Sequence, residues 1–252
     1  MLFDTHAHYD DAQFDPDRDA LLASMPENGI ELIVNASSNL CSAQAGLKLA
    51  EAYPFIFAAV GVHPHDAGDM NDATLIALED LLKHPKAVAV GEIGLDYHYD
   101  FSPREIQQQR FRDQLALARR VGLPVVIHER EATHDVLSIL DDFPDVRGVF
   151  HCYSGSWETA KGLLDKGWYL SFTGVITFKN ARRAVEVLEK MPRDRIMIET
   201  DCPYLAPEPM RGRRNSSLYL KFTALKLADI IGVSPEDACQ LTLENGRLFF
   251  GI

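Results

Sequence analysis

Eight short apolar runs constrain this chain more than any other feature. They fall at 2–4, 32–35, 56–60, 87–91, 125–128, 148–151, 169–172 and 196–199. Most are continuously apolar rather than alternating, as expected of parallel strands buried on both faces. Helix signals lie between them. Ser102-Pro103-Arg104-Glu105 reads as an N-cap, a first-position proline and a capping-box glutamate. Ile106, Phe111, Leu115 and Ala118 then follow at near-helical spacing, and Gly122 and Pro124 stop the helix. Asp15-Pro16 opens the first helix and Asn28-Gly29 closes it. Asn180 precedes one helical face made of Ala181, Ala184, Val185 and Leu188. Ser234-Pro235 opens a last helix after Gly232 ends the one before. Eight such units in 252 residues predict an α/β fold, a (β/α)8 TIM barrel, with residues 1–252 as a single domain. The rival is an open doubly wound sheet with a small second domain, and the regular spacing favours the closed barrel.

The N-terminus carries no basic segment followed by an apolar stretch. No apolar run approaches the ~20 residues needed to cross a bilayer. Both features predict a cytoplasmic protein with no membrane partner. Cys41, Cys152, Cys202 and Cys239 include no CxxC pair and are too sparse for a disulfide scaffold. Charge narrows the possible partners. Lys plus Arg is 25 and Asp plus Glu is 37, so 25 − 37 = −12. That excludes a generally basic surface for nucleic acid, though not a local basic patch.

In a barrel of this kind the active site lies at the C-terminal ends of the strands. His6 and His8 follow the first run, and His63 and His65 the third. Glu92 follows the fourth, His128 and His151 end the fifth and sixth, and Asp201 follows the eighth. In His6-Ala7-His8 the two imidazoles share one face of an extended chain and can converge on one ion. A carboxylate such as Glu92 after a buried strand is costly unless paired or metal-bound, and its two oxygens can bridge two cations. Each residue alone has an ordinary structural explanation. Even without His63 and His65, they together place metal-type ligands at the same end of five strands. Mixed imidazole and carboxylate donors suit Zn, Mn or Fe, and carboxylate-rich positions also admit Mg. Cys152 and Cys202 adjoin the ligands but point the other way along a strand, as packing residues.

The ordered series of motifs resembles the TatD family of metal-dependent deoxyribonucleases, within the amidohydrolase superfamily. Its carriers span essentially the whole chain. They are Asp4-Thr5-His6-Ala7-His8, Gly61-Val62-His63-Pro64-His65, Gly91-Glu92-Ile93-Gly94-Leu95-Asp96, Val126-Ile127-His128 through Arg130, His151-Cys152-Tyr153-Ser154-Gly155 and Glu199-Thr200-Asp201-Cys202-Pro203-Tyr204-Leu205. The resemblance implies a barrel hydrolase with two or more divalent cations, with Mg, Mn and Zn as candidates. It implies that His6, His8, Glu92 and Asp201 hold one cation, and that Glu92, His128 and His151 hold the second, with Glu92 bridging. His63 and Arg130 match positions near the substrate. One departure stands out. Where the family continues its basic loop with Asn-Glu-Pro, this chain has Asn215-Ser216-Ser217 after Arg211-Gly212-Arg213-Arg214. Ser216 or Ser217 is the expected N-cap of the helix that follows.

The expected reaction is phosphodiester hydrolysis of nucleic acid, exonucleolytic on DNA, at single-stranded ends. The cations would polarise the phosphoryl oxygen and lower the pKa of an attacking water. Of the two catalytic carboxylates, Glu92 and Asp201, Asp201 is the one expected to take that water's proton. Arg130 offers a planar fork to a phosphate, and the Arg211 loop a means of steering the backbone. An amidohydrolase cleaving C–N or carboxyl-ester bonds would need almost the same ligands. The superfamily often bridges its metals with a modified lysine, whereas Glu92 holds the fourth-strand position here. A non-catalytic metal-binding protein is the third reading, disfavoured by an intact ligand set. A monomer is expected, since no coiled-coil heptads appear.

Overall fold

The computed structural model describes residues 1–252. All eight apolar runs form strands: β1 (Leu2–Ala7), β2 (Ile30–Ala36), β3 (Ile56–Ala59), β4 (Ala87–Asp96), β5 (Val125–Arg130), β6 (Gly148–Phe150), β7 (Tyr169–Phe172) and β8 (Ile196–Ile198). They follow one another in sequence order in one eight-stranded sheet. The β1–β2, β3–β4, β4–β5, β5–β6 and β7–β8 pairings are parallel. Ala7 and Cys202 form a further parallel bridge just beyond β8. The helices are α1 (Arg18–Ala23), α2 (Leu40–Ala52), α3 (Asp72–Leu81), α4 (Arg104–Val121), α5 (Thr133–Asp141), α6 (Trp157–Asp165), α7 (Arg182–Lys190), α8 (Leu220–Ile231) and α9 (Pro235–Phe250). Each strand is followed by a helix, with α9 added after α8, so the fold is the expected (β/α)8 barrel.

The chain forms two compact units, Met1–Asn35 with Cys152–Ile252, and Ala36–His151. In the first, α9 packs on β1 and β8. Phe3, Tyr9, Phe14 and Phe249 are fully or almost fully buried there. The Phe3 and Phe250 rings lie 5.8 Å apart. Ser234 caps α9 by accepting from the Asp237 amide, as expected, and Gly232 and Gly251 close α8 and α9 in left-handed conformations.

In the second unit, α4 covers β4 with the buried face Phe111, Leu115, Leu117 and Ala118. Burying each large apolar side chain stabilises by roughly 1.5–3 kcal/mol. Ile106, expected on that face, is instead 38 % exposed. The helix begins at Arg104, with Pro103 at the N-cap and no side-chain cap. Ser102 fails as a cap because its hydroxyl is used elsewhere. It donates to the His65 carbonyl (2.8 Å) and accepts from the Gly68 amide (2.9 Å).

The largest difference from the sequence reading lies in β4. The run was expected to stop at Gly91, but the strand continues to Asp96, so Glu92 lies within it. Gly94 makes the extension feasible. It pairs with His128 at φ +148°, and a Cβ there would fall 1.9 Å from the His128 carbonyl oxygen. Only glycine tolerates both that angle and that approach.

Candidate metal centre

Each unit gathers its own group of metal-type donors. In the first, His6 lies in β1 and His8 just after it, and Asp201 lies three residues beyond β8. The two Nε2 atoms are 3.1 Å apart. Asp201 Oδ1 lies 3.6 Å from His6 Nε2 and 3.3 Å from His8 Nε2. Backbone bonds set this approach: the His8 amide donates to the Cys202 carbonyl, and the Asp201 amide to the His6 carbonyl. Asp201 is left-handed at φ 56° and Cys152 at φ 46°. Non-glycine residues in that region are strained, and such strain gathers at functional sites.

The floor under this group is a buried polar network. Asp4, fully buried, accepts from the Thr200 amide (2.9 Å), the Thr200 hydroxyl (2.6 Å) and the Ser217 hydroxyl (2.6 Å). Tyr9 in turn donates its phenol to Ser217 Oγ, 2.8 Å away. Burial pushes the Asp4 carboxyl up to about 6, against the pull of those hydrogen bonds. Ser216 stands at the N-cap of the short 3-10 turn Ser217–Tyr219 but makes no side-chain cap bond, and the Ser217 hydroxyl is committed to Asp4 instead. Ser217 therefore supplies an internal hydrogen bond to this network. Asn215 holds the same loop by donating to the Thr200 and Tyr204 carbonyls.

In the second unit Glu92 is the hub. It is 3 % exposed. Its Oε1 lies 2.8 Å from His128 Nδ1, 2.7 Å from His151 Nε2 and 3.6 Å from His63 Nε2. The donor atoms of His63, Glu92 and His128 all lie within 4.8 Å of one another. His63 is held well below the usual imidazole range, first by burial and then by the neighbouring His128. It is therefore neutral at pH 7, the form that binds a metal. Burial alone would lower His128 as well, but hydrogen bonding to Asp96 and Glu92 raises it.

One residue without an assigned role joins this group. Asp96 Oδ2 lies 3.0 Å from both His65 Nε2 and His128 Nε2. Burial would raise Asp96, yet the bonds from His128, the Tyr99 amide and His65 hold it below the usual carboxylate range. It orients His128 from behind, as carboxylates do for metal-binding imidazoles. The signal was present in the sequence: Glu92, Gly94 and Asp96 share one face of a strand at period two. Glu199, also unassigned, accepts the Cys152 amide at 2.6 Å.

The donor chemistry fits divalent cations. A metal–donor distance of about 2.1 Å puts neighbouring donors about 3.0–3.4 Å apart. The separations within each group, 2.7–3.6 Å, bracket that value.

The arginines separate clearly. Arg130 lies over the Tyr99 ring at 4.7 Å. Arg211 lies 4.4 Å over Phe178 and 3.6 Å from Glu208. Arg214 is a packing residue. It donates twice to Asp17, at 2.8 and 2.6 Å, and once to the Gln13 carbonyl, and covers Phe14. Arg214→Ala is expected to cost about 1 kcal/mol, lowering Tm by about 2–4 °C. A thermal melt checks this; an unshifted Tm together with weakened nucleic-acid binding would place Arg214 in the site instead.

Barrel and donor sets together define a TIM-barrel protein equipped to hold divalent cations, and comparison with known proteins carries this further. The family model described as TatD related DNase matches residues 3–251. The chain belongs to this family. It is 43 % identical, over 100 % of both chains, to an uncharacterized metal-dependent hydrolase, YabD, of Bacillus subtilis. It is 32 % identical to the 3′-5′ ssDNA/RNA exonuclease TatD of Salmonella typhimurium, over 100 % of this chain and 99 % of the relative. The crystal structure of YjjV, a TatD homologue from Escherichia coli, is 30 % identical and covers 100 % of this chain and 98 % of its own, with a TM-score of 0.92. No helix is long and apolar enough to cross a membrane.

Proposed function

We propose that residues 1–252 act as one domain, a metal-dependent 3′–5′ exonuclease that removes nucleotides from single-stranded ends of DNA. The observation that carries this reading is the family match across the whole chain together with an intact donor set. The polarity and the single-stranded substrate rest on the names of relatives at about one-third identity over full length.

In this reading His6, His8, Glu92 and Asp201 hold one cation, and Glu92, His128 and His151 hold a second, with Mg, Mn or Zn as candidates. Such cations supply Lewis-acid polarisation of the phosphodiester and a lowered pKa for water. The protein residues do the rest. His63 faces the substrate beside Glu92, and Asp201 takes a proton from the attacking water. Arg130 pairs with a phosphate through its planar fork, and Arg211 guides the strand. The enzyme works as a monomer in the cytoplasm.

The test compares metal-loaded protein on single-stranded DNA with a panel of amides and carboxyl esters. Cleavage of DNA alone is expected. Turnover of amides or esters with DNA left intact would favour amidohydrolase chemistry.

A further inference from the structure

Beside the Glu92 group, the loop between β4 and α4 holds two aromatic rings in solvent. Tyr99 is 48 % and Phe101 68 % exposed. The rings stack, with centroids 5.3 Å apart and planes 27° from parallel. Arg130 lies over the Tyr99 ring and forms no salt bridge. It thus keeps its charge available on a chain of net charge −12.

The loop is pinned at both ends. Asp96 Oδ1 accepts the His98 and Tyr99 amides at 3.0 and 2.9 Å. Gln107 donates to the Ser102 carbonyl at 2.8 Å. The rings are therefore held in place before any partner arrives. They also stand close to the donors. The His65 ring lies 4.8 Å from Phe101, 5.3 Å from Tyr99 and 4.2 Å from His63. One imidazole thus separates the exposed rings from the Glu92, His63 and His128 group.

We propose that Tyr99, Phe101 and Arg130 form a stacking platform for a nucleobase next to the scissile phosphate. The inference rests on the single-stranded nucleic-acid reading above and adds a subsite to it. Stacked aromatics accept any base, because every base has a π face, and an arginine on the stack meets the adjoining phosphate. That suits an enzyme that must process a strand whatever its sequence.

The test uses the full chain, as wild type, Phe101→Ala and Phe101→Trp. The substrate is a single-stranded oligonucleotide carrying one abasic residue at its 3′ terminal, second or third position. In the wild type, one abasic position is expected to raise KM about tenfold. Phe101→Ala is expected to raise KM about tenfold on the intact strand and to add nothing at that abasic position. Phe101→Trp restores the wild-type value. Equal effects at every abasic position, additive effects, or no effect of Phe101→Ala would overturn the platform. If the wild type cleaves no strand at all, the nuclease reading fails on its own. Binding of a 2-aminopurine strand then decides the platform: quenching lost in Phe101→Ala supports it, and no quenching by the wild type overturns it.

Discussion

Glu92→Gln is expected to lower nuclease turnover by more than about 100-fold and to strip the protein of most of its metal. Removing a partner one shell behind a metal ligand already costs about 10–100-fold, so losing a ligand costs at least as much. Glutamine keeps the shape of Glu92, whose side chain is almost closed to solvent. What it removes is the charge shared by His128, His151 and His63, at 2.8, 2.7 and 3.6 Å. The amide also places an N–H donor among imidazoles that must present lone pairs to a cation. Turnover and elemental metal content measured on one sample check the prediction, with a thermal melt as the control for folding. Undiminished activity would remove Glu92 from the mechanism.

Asp4→Ala has the largest expected effect on stability, a loss of about 3 kcal/mol. Its carboxylate accepts from the Thr200 amide and from the Ser217 hydroxyl, inside a fully buried network. Each buried donor left without an acceptor costs about 1–3 kcal/mol. Part of that is offset, because burial of Asp4 is itself unfavourable, as its raised pKa of about 6 records. The damage would also reach the site. Thr200 precedes Asp201, and Asp4 lies two residues before His6. Urea denaturation reads the change, and a loss below 1 kcal/mol would show that the network is not the floor of the donor group.

The barrel was legible because parallel strands buried on both faces leave continuous apolar runs. All eight runs became strands. Their ends were less legible where one residue served two purposes. The fourth run ends at Gly91 in sequence, yet Gly94 carries β4 on to Asp96 by letting the chain approach His128. Ser102 and Ser217 have the chemistry of helix caps, and long-range partners claim their hydroxyls instead. No local pattern foretells a bond between residues 213 positions apart, such as Ser217 to Asp4.

The donor residues could be picked out because several strands repeated one chemistry at one end. Within each unit the structure brings together the residues assigned to it: His6, His8 and Asp201 in one, and Glu92, His128 and His151 in the other. The supporting residues were harder to see. Asp96 and Glu199 lie in recognisable motifs, but their roles depend on contacts with His128 and with the Cys152 amide. Tyr99 and Phe101 sit in a loop with no periodicity, so their exposure appears only in the folded chain.

The most direct test of the account titrates Mg, Mn or Zn into chelator-treated protein. Cations bound per chain and nucleotides released from 3′- and 5′-labelled single-stranded DNA are measured on the same samples. The account predicts that cleavage appears as two cations bind, and that mononucleotides leave from the 3′ end. Strand cleavage that persists with no metal bound, or a fully loaded protein that leaves every strand intact, would contradict it.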